Sequence, residues 1–347
     1  MKPNAIPVRV DNVPHDRRGR GLTDLRISVI DRCNFRCPYC MPEDDYPRDH
    51  AFLSKAQRLR FEEIVRLVRV FTVFGVRKLR LTGGEPLLRR ELPELVRQLS
   101  AVPGIDDIAM TTNGSLLPAH AQALRNAGLR RITLSVDTID PATYRRLSGE
   151  RGEVSDLFAA IDAAEVAGFG SLKLNSVVMR GVNDHQVVDL VERFRGTGHI
   201  LRFIEYMDVG TCNEWRNELV VPSAELRDRI GARWPLAPLP PNHGSEVAQR
   251  FGLADGSAEI GFISSVSQPF CGDCTRARLS ADGRLYTCLF ARSGHDLLGP
   301  MRAGAGDEEL AGIIRAVWAG RDDRYSEQRG ALAAADNARV EMYTIGG

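Results

Sequence analysis

Residues 24–40 read DLRISVIDRCNFRCPYC and join an alternating strand directly to three closely spaced cysteines. In the strand, apolar Leu25 and Ile27 lie on one side and Arg26 lies on the other. A parallel sheet covered by helices needs two apolar faces, so the polar face of this strand must meet water or a ligand. The pattern therefore predicts the inner wall of a barrel, complete or partial, with a polar lumen.

Similar alternation recurs along the first two thirds of the chain, in runs that helical patterns separate. Further strands are predicted at residues 78–82, 108–112, 132–136, 172–178 and 201–206. Helices are predicted at residues 61–74, 91–99, 118–126, 157–166 and 187–194, with a late helix at 307–318. Most of these strands have one polar face and one apolar face. In the sixth strand neither set of alternating residues is uniformly polar or apolar. Six strands alternating with helices predict a parallel α/β sheet, and proline-rich residues 234–242 are interpreted as a connector.

Composition and charge set broad limits on function. The chain has 347 residues and a formal net charge of +1, which gives no argument for nucleic acid or an anionic membrane. No apolar run approaches the roughly 18–20 residues that span a bilayer, and the polar start of the chain does not resemble a signal peptide. We therefore expect a cytoplasmic protein without membrane or nucleic-acid partners. In that compartment its seven cysteines are expected to be metal ligands or free thiols.

The first cysteine group consists of Cys33, Cys37 and Cys40 and follows the first strand, where the catalytic loops of barrels lie. Three thiolates at this spacing suit an iron–sulfur cluster and leave one iron of a four-iron cluster open for a ligand. A zinc site completed by a fourth ligand from elsewhere remains an alternative. Residues 82–86, TGGEP, end the second strand, and their glycines let the backbone approach a ligand closely.

The second cysteine group consists of Cys271, Cys274 and Cys288, again three thiolates without an obvious fourth. Arg276 and Arg278 lie between its members and suit an anionic substrate, because arginine binds phosphate through two parallel hydrogen bonds. A zinc knuckle and a closed auxiliary cluster are alternative interpretations of this second group. The seventh cysteine, Cys212, matches neither group and is interpreted as a free thiol.

The first group resembles the signature of the radical S-adenosylmethionine superfamily, a Cys-x3-Cys-x2-Cys motif with an aromatic residue, here Tyr39, before the last cysteine. The resemblance implies that the open iron chelates the methionine part of S-adenosylmethionine and that one electron releases a 5′-deoxyadenosyl radical. The TGGEP turn looks like the superfamily's Gly-Gly-Glu-Pro motif, which implies that Gly84 binds the methionine amino group. A lumen under loops would keep such a radical from water.

Nearly the whole chain, from about Asp24 onward, resembles the GTP 3′,8-cyclase family of molybdenum cofactor biosynthesis. The likeness rests on the order of both cysteine groups, the terminal Gly-Gly and the motifs at residues 25–28, 79–88, 111–114, 131–137 and 202–207. It implies an incomplete (β/α)6 TIM-like barrel at residues 24–222, after an N-terminal segment at 1–23. It also implies a C-terminal extension at 223–347 with a second four-iron cluster that binds guanine. In the family reaction the radical removes the ribose 3′ hydrogen of GTP, giving (8S)-3′,8-cyclo-7,8-dihydroguanosine 5′-triphosphate.

The resemblance also assigns roles to single residues and implies partners. The implied GTP contacts are Arg26, Arg80, Thr111, Lys173, Arg276, Ala277 and Arg278. The implied S-adenosylmethionine contacts are Tyr39, Gly84, Ser135 and Met207. The resemblance also implies that Gly346 and Gly347 form a tail that enters the active site and is needed for function. An external electron donor of flavodoxin or ferredoxin type and the cyclic pyranopterin monophosphate synthase are the implied partners, and a homodimer stays open.

Two other functions compete with this interpretation. A different radical enzyme, acting on a peptide or protein, would carry the same first cysteine group. It would have less need of the fixed positive charge of Arg26, Arg80 and Lys173 on the predicted lumen face, whereas each phosphate of GTP requires charged donors. A zinc-dependent nucleic-acid-binding protein is the other alternative, and the neutral overall charge argues against it.

Overall fold

The computed structural model describes residues 13–332 and 339–346 of the chain. Six strands form the first part, as expected: β1 Asp24–Ser28, β2 Lys78–Thr82, β3 Asp107–Thr112, β4 Arg131–Ser135, β5 Lys173–Val178 and β6 Ile200–Glu205. The helices between and after them are α1 Phe61–Thr72, α2 Leu92–Ser100, α3 Ala121–Asn126, α4 Pro141–Ser148, α5 Val154–Val166, α6 Val187–Phe194 and α7 Ser223–Gly231. The predicted elements agree with these bounds within about three residues, except that α4 and α7 were not predicted.

Beyond α7, the described residues add short strands and four helices. The strands are β7 Leu236–Leu239, β8 Gln249–Leu253, β9 Glu259–Ile263, β10 Arg276–Leu279, β11 Arg284–Tyr286 and β12 His295–Asp296. The helices are α8 Leu298–Arg302, α9 Asp307–Ala319, α10 Tyr325–Leu332 and α11 Met342–Ile345. The stretch interpreted as a connector, residues 234–242, therefore contains β7, and that prediction was wrong.

All twelve strands form one sheet in the order β12-β11-β10-β1-β2-β3-β4-β5-β6-β9-β8-β7. The six predicted strands run parallel at its centre, and the extension adds a parallel strand at each side, β10 beside β1 and β9 beside β6. The outer strands are antiparallel. The order is linear, as in an incomplete barrel, and the extension widens the wall of the lumen. The predicted boundary at residue 222 thus lies within a continuous sheet.

The two faces of the central strands separate as the alternation predicts. Leu25, Ile27 and Leu79 are almost fully buried in the core between sheet and helices, whereas Arg26 and Arg80 are only partly buried on the other face. The register pairs Arg26 with Arg80 on β2 and with Arg278 on β10, which places three arginines side by side across three strands. The polar face is therefore continuous from the extension into the central sheet.

The sixth strand was ambiguous because one of its core-facing residues is charged. Glu205 is fully buried together with Leu201 and Phe203, while Arg202 faces the lumen. The Glu205 carboxylate accepts hydrogen bonds from the backbone N–H and the hydroxyl of Ser223 and of Ser267. The N···O distances from both backbone nitrogens are 2.8 Å. The donors compensate the desolvated charge and tie β6 to the extension. Within the described residues, no helix combines the length and apolar character needed to cross a membrane.

Candidate active site

The first cysteine loop leaves β1 and packs tightly against the turn after β2. The backbone N–H of Gly84 donates to the carbonyl oxygen of Ile30 at 2.9 Å, and that of Glu85 donates to Arg32 at 2.8 Å. A Cβ atom added at Gly84 would lie 2.1 Å from the Arg32 carbonyl oxygen. Glycine is therefore required here for the approach of two loops, and the Gly84 N–H is already used within the protein.

The side chain of Glu85 stabilises this turn. Its buried carboxylate accepts hydrogen bonds from the Thr112 hydroxyl at 2.7 Å, the Asn113 N–H at 2.9 Å and the Leu87 N–H at 3.0 Å. Burial raises the pKa of Glu85 to about 7, against the lowering effect of these hydrogen bonds. Glu85 joins the ends of β2 and β3 under the cysteine loop, a role that its place in the TGGEP motif could have suggested.

Cys33, Cys37 and Cys40 line one cavity together with the predicted residues Tyr39 and Ser135. Burial raises the pKa of the Cys33 thiol to about 12 and also raises the pKa of Cys37 and Cys40, so all three are protonated at neutral pH without a metal. Among the described residues, no three acidic, histidine or cysteine side chains converge as the ligands of one metal ion would. A four-iron cluster takes its thiolates at separate irons, and the wider spacing is compatible with it.

Tyr39 is held in this cavity by an aspartate that the sequence reasoning missed. Its hydroxyl donates to Asp137, whose other oxygen accepts from the Val177 N–H at 2.8 Å. Burial raises the pKa of Asp137 to about 6, despite the hydrogen bond from Tyr39. Asp137 follows β4, and it therefore connects the cysteine loop of β1 with the ends of β4 and β5.

A group of cations lines two cavities of the lumen, and we call them the lumen cations. They are Arg26, Arg80, Lys173, Arg202, Arg276 and Arg278. Burial, reinforced by neighbouring positive groups, lowers the pKa of Arg80 and Arg278 to about 10 and that of Lys173 to about 8. Arg202 was not predicted, because the ambiguous alternation of β6 hid its orientation.

Among the described residues the lumen cations form no ion pair, although the carboxylates of Asp24 and Glu246 line the same cavity. Arg80 donates to the neutral hydroxyls of Thr111 at 3.0 Å and Thr133 at 3.1 Å, and Arg202 donates to the side-chain oxygen of Asn175 at 2.8 Å. Arg131 and Asp107, which line the same cavity, form an ion pair with each other, so this carboxylate is already used. Mutual repulsion between buried cations is relieved by an anion, so the arrangement favours a polyanionic ligand.

The second cysteine group faces the same lumen. Cys271, Cys274 and Cys288 line a cavity with Arg276 and Arg278. Burial alone would raise the pKa of the Cys274 thiol, but the nearby guanidinium groups of Arg276 and Arg321 bring it down to about 6. These three thiols could hold the predicted second cluster.

Two arginines outside the predicted set hold the backbone of this group. Arg321 Nη1 donates to the carbonyl oxygen of Cys274 at 2.7 Å, and Arg20 Nη1 donates to that of Cys271 at 2.6 Å. Both guanidinium groups form ion pairs with the buried carboxylate of Asp16. No motif reveals these contacts, because the three residues come from opposite ends of the chain.

The cavities of the two cysteine groups share a wall formed by Thr111, Asn175 and Ile204.

Two predicted residues lie elsewhere than their expected roles suggest. Met207 lines the cavity of the second group, although contact with S-adenosylmethionine was expected. The side chain of Ala277 is buried in the hydrophobic core, so a substrate contact there would have to involve its backbone.

The C-terminal segment ends between the two groups. Ile345 is fully buried, and the carbonyl oxygen of Gly346 accepts hydrogen bonds from Arg278 and, at 3.4 Å, from Arg26. Gly346 has a φ of +69°, and a Cβ atom there would lie 2.1 Å from Thr82 Cγ2, so only glycine fits without displacement. Gly347, the other predicted tail residue, lies outside the described residues.

Two family models match the chain. The Radical SAM superfamily model matches residues 27–194, and the Molybdenum Cofactor Synthesis C model matches residues 199–327. The fold is also similar to the crystal structure of Streptococcus suis SuiB bound to S-adenosylmethionine, with a TM-score of 0.60 at 15% identity, over 89% of this chain and 68% of that one. Membership in the radical SAM superfamily implies an iron–sulfur cluster and S-adenosylmethionine as cofactors of the domain.

Curated relatives cover nearly the whole chain. A GTP 3′,8-cyclase of Xanthomonas campestris pv. campestris strain B100 is 60% identical over 332 residues, covering 96% of this chain and 97% of the relative. The enzyme of the same name from Acidothermus cellulolyticus is 53% identical, over 90% of this chain and 88% of its own. The GTP 3′,8-cyclase of Staphylococcus saprophyticus is 46% identical, over 96% of this chain and 98% of its own. The chain therefore belongs to the GTP 3′,8-cyclase family of the radical S-adenosylmethionine superfamily.

Proposed function

We propose that the protein converts GTP to (8S)-3′,8-cyclo-7,8-dihydroguanosine 5′-triphosphate in molybdenum cofactor biosynthesis. The observation that carries the proposal is that five of the six lumen cations line the cavity of the second cysteine group, which shares a wall with the cavity of the first. A nucleotide held there can meet one group with its base while its ribose lies toward the other. The relatives named GTP 3′,8-cyclase support this function.

The proposal assigns Cys33, Cys37 and Cys40 to a four-iron cluster that binds S-adenosylmethionine. When bound, the cluster and S-adenosylmethionine would supply a 5′-deoxyadenosyl radical able to take the ribose 3′ hydrogen. C3′ would then bond to C8 as the C8=N7 double bond of guanine opens, and one electron from the external donor and one proton would complete the N7–H group of the product. Tyr39, held by Asp137, and Ser135 line the cavity in which the cofactor would lie. The buried surroundings exclude water from the radical step.

Cys271, Cys274 and Cys288 are assigned to a second four-iron cluster that binds the guanine ring. Their support is geometric: the three thiols line one cavity, and Arg20 and Arg321 fix the loop that carries two of them. The zinc alternative for this group predicts a colourless protein, whereas two four-iron clusters give a brown protein with about eight irons per chain.

The lumen cations are assigned to the triphosphate. Each charge-assisted hydrogen bond to a phosphate oxygen contributes about 1.5–3 kcal/mol, and the repulsion between Arg26, Arg80 and Arg278 is relieved at the same time. Thr111 lies at the boundary between the cysteine cavities, where its hydroxyl already accepts from Arg80. Gly346 contacts Arg26 and Arg278, so the tail reaches the lumen beside two of the cations that are assigned to the triphosphate.

The decisive experiment is an anaerobic incubation with S-adenosylmethionine, a reductant and GTP carrying deuterium at the ribose 3′ position. We expect the cyclised nucleotide together with 5′-deoxyadenosine that contains the deuterium, both identified by mass spectrometry. Unlabelled 5′-deoxyadenosine with unchanged GTP would refute the proposal and favour another substrate, such as a peptide. Cys274→Ala should still cleave S-adenosylmethionine but lose cyclisation, and normal turnover in that variant would refute the role of the second group.

Other partners remain predictions. The electron that starts the reaction is proposed to come from a flavodoxin- or ferredoxin-type donor, and the product is proposed to pass to cyclic pyranopterin monophosphate synthase. A homodimer remains open in the same way, and sedimentation of the anaerobic protein would test it.

A further inference from the structure

The last described segment, residues 339–346, is fixed to the protein well before it reaches the lumen. Arg339 donates to the carbonyl oxygen of Asp208 at 2.6 Å and to its carboxylate at 2.8 Å. The N–H of Val340 donates to the carbonyl oxygen of Ala291 at 3.1 Å. The Tyr343 ring then packs edge-to-face against Tyr46, with 5.1 Å between the ring centroids. Gly346 is thus the last described residue of a segment that is anchored upstream, and its own carbonyl oxygen accepts from Arg26 and Arg278.

The anchor next to the first cysteine group is the carboxylate of Glu341. One oxygen, Oε1, accepts from the Thr211 N–H at 2.8 Å and from the Thr211 hydroxyl at 2.6 Å. The other, Oε2, accepts from the Cys212 thiol at 3.0 Å, and that thiol also lies 3.7 Å from the carbonyl oxygen of Cys40. Cys212 therefore contributes to this anchor and lies outside both cysteine cavities.

The loop that receives Glu341 is shaped for a carboxylate. Gly210 has a φ of +76°, and a Cβ atom built on it would lie 2.1 Å from Glu341 Oε2. The absence of a side chain at residue 210 thus leaves the space that the carboxylate fills. The loop follows β6 and Met207 directly, so the anchor connects the tail to a strand that carries a lumen cation, Arg202.

We propose that Glu341 is a positioning residue, which seats the C-terminal segment on the Gly210–Cys212 loop and so directs Gly346 into the lumen. Glu341 touches neither the lumen cations nor the cysteines of either group in the contacts described. Its effect on the reaction would therefore pass through the tail, and this part of the inference rests on the proposed function. The seating itself does not, because it can be measured without substrate.

The test measures hydrogen–deuterium exchange in the C-terminal peptide of the anaerobically purified full chain. Glu341→Ala removes all three accepted hydrogen bonds, and we expect exchange to rise at least about tenfold. A factor of ten corresponds to about 1.4 kcal/mol, within the range of one hydrogen bond to a charged group. Glu341→Gln keeps one acceptor oxygen for both Thr211 donors, so it should restore most of the protection.

A second variant tests the same contact from the loop. Gly210→Ala places a methyl group where the carboxylate lies and should expose the tail as Glu341→Ala does. When combined with Glu341→Ala, it should add only the backbone strain of alanine at a φ of +76°, because the carboxylate that the methyl group would meet is gone. Glu218→Gln is the matched control, since it removes an exposed carboxylate a few residues beyond the loop and should leave tail exchange unchanged.

Activity assays separate this inference from the proposed function. With the tail displaced, we expect a lower kcat for cyclisation with little change in the KM for GTP, and continued cleavage of S-adenosylmethionine. Tail exchange that stays at the wild-type level in both Glu341→Ala and Gly210→Ala would overturn the inference. Increased exchange with full cyclisation would support the seating by Glu341 and refute the role that the proposed function gives to the tail.

Discussion

Replacing Lys173 with methionine should make the protein more stable and at the same time weaken its binding of GTP. Lys173 lies on β5 between two buried leucines and faces the lumen. Burial, together with the positive charges of Arg202, Arg131 and Arg80, lowers its pKa from 10.5 to about 8. Methionine has a similar length and no charge, so it fills the same volume without the repulsion.

The size and sign of the effect follow from the two pKa values. A difference of about 2.5 between folded and unfolded pKa corresponds to about 3.4 kcal/mol, and because the side chain is only half-buried we halve this to about 1–2 kcal/mol. The unfolded chain binds more protons between about pH 8 and 10.5, so stability rises with pH in that window. The charged lysine therefore imposes its full destabilisation below about pH 8, including pH 7.

Thermal unfolding of wild type and Lys173→Met measures this directly. At pH 7 the variant should melt a few degrees higher, since about 1 kcal/mol shifts Tm by roughly 1–3 °C in a chain of this length. The difference should shrink at pH 9, where part of the lysine is neutral. GTP should bind the variant about tenfold to a hundredfold more weakly, as expected for one lost charge-assisted hydrogen bond. A variant with lower Tm and unchanged GTP affinity would refute the reasoning.

Three further predictions concern other parts of the site. Cys33→Ala should abolish cleavage of S-adenosylmethionine, because one ligand of the first cluster is lost; chromatography of 5′-deoxyadenosine checks this, and wild-type cleavage would contradict it. Gly84→Ala should reduce the iron content and cost about 1–3 kcal/mol of stability, since its Cβ would collide with the Arg32 carbonyl oxygen; full iron retention with an unchanged Tm would argue against this. Glu205→Ala should destabilise by about 3–5 kcal/mol, because it leaves several buried donors unpaired; a loss below about 1 kcal/mol in a denaturant titration would count against that role.

Local sequence information was enough for the central sheet. The alternation around Arg26 and Arg80 predicted both the strands and their polar face, and the apolar spacing of α1 predicted its buried side. Helix α4 was missed although its start carries a clear signal. Asp140 caps it by accepting from the Thr143 N–H at 2.8 Å, and Pro141 stands at its first turn.

What could not be predicted depends on contacts between distant parts of the chain. Short edge strands such as β7 carry little periodicity of their own, and their pairing is decided by tertiary context. The burial of Glu205 could not be predicted, because the Ser223 and Ser267 groups that donate to its carboxylate come from the extension. Arg20 and Arg321 share Asp16 across about 300 residues, and no local pattern announces such a network.

The parallel pairing of β1 with β10 has a consequence for biosynthesis. Asp24 lies beside Arg276, which is 276 − 24 = 252 positions later in the chain. At a synthesis rate of about 5–20 residues per second, β1 waits roughly 13–50 s for this neighbour. During that time β1 is an edge strand without its final partner. An inward-pointing charge such as Arg26 disfavours pairing of this edge with a strand from another chain. The delay also leaves the first cysteine loop accessible from the side before the last third of the polypeptide encloses it.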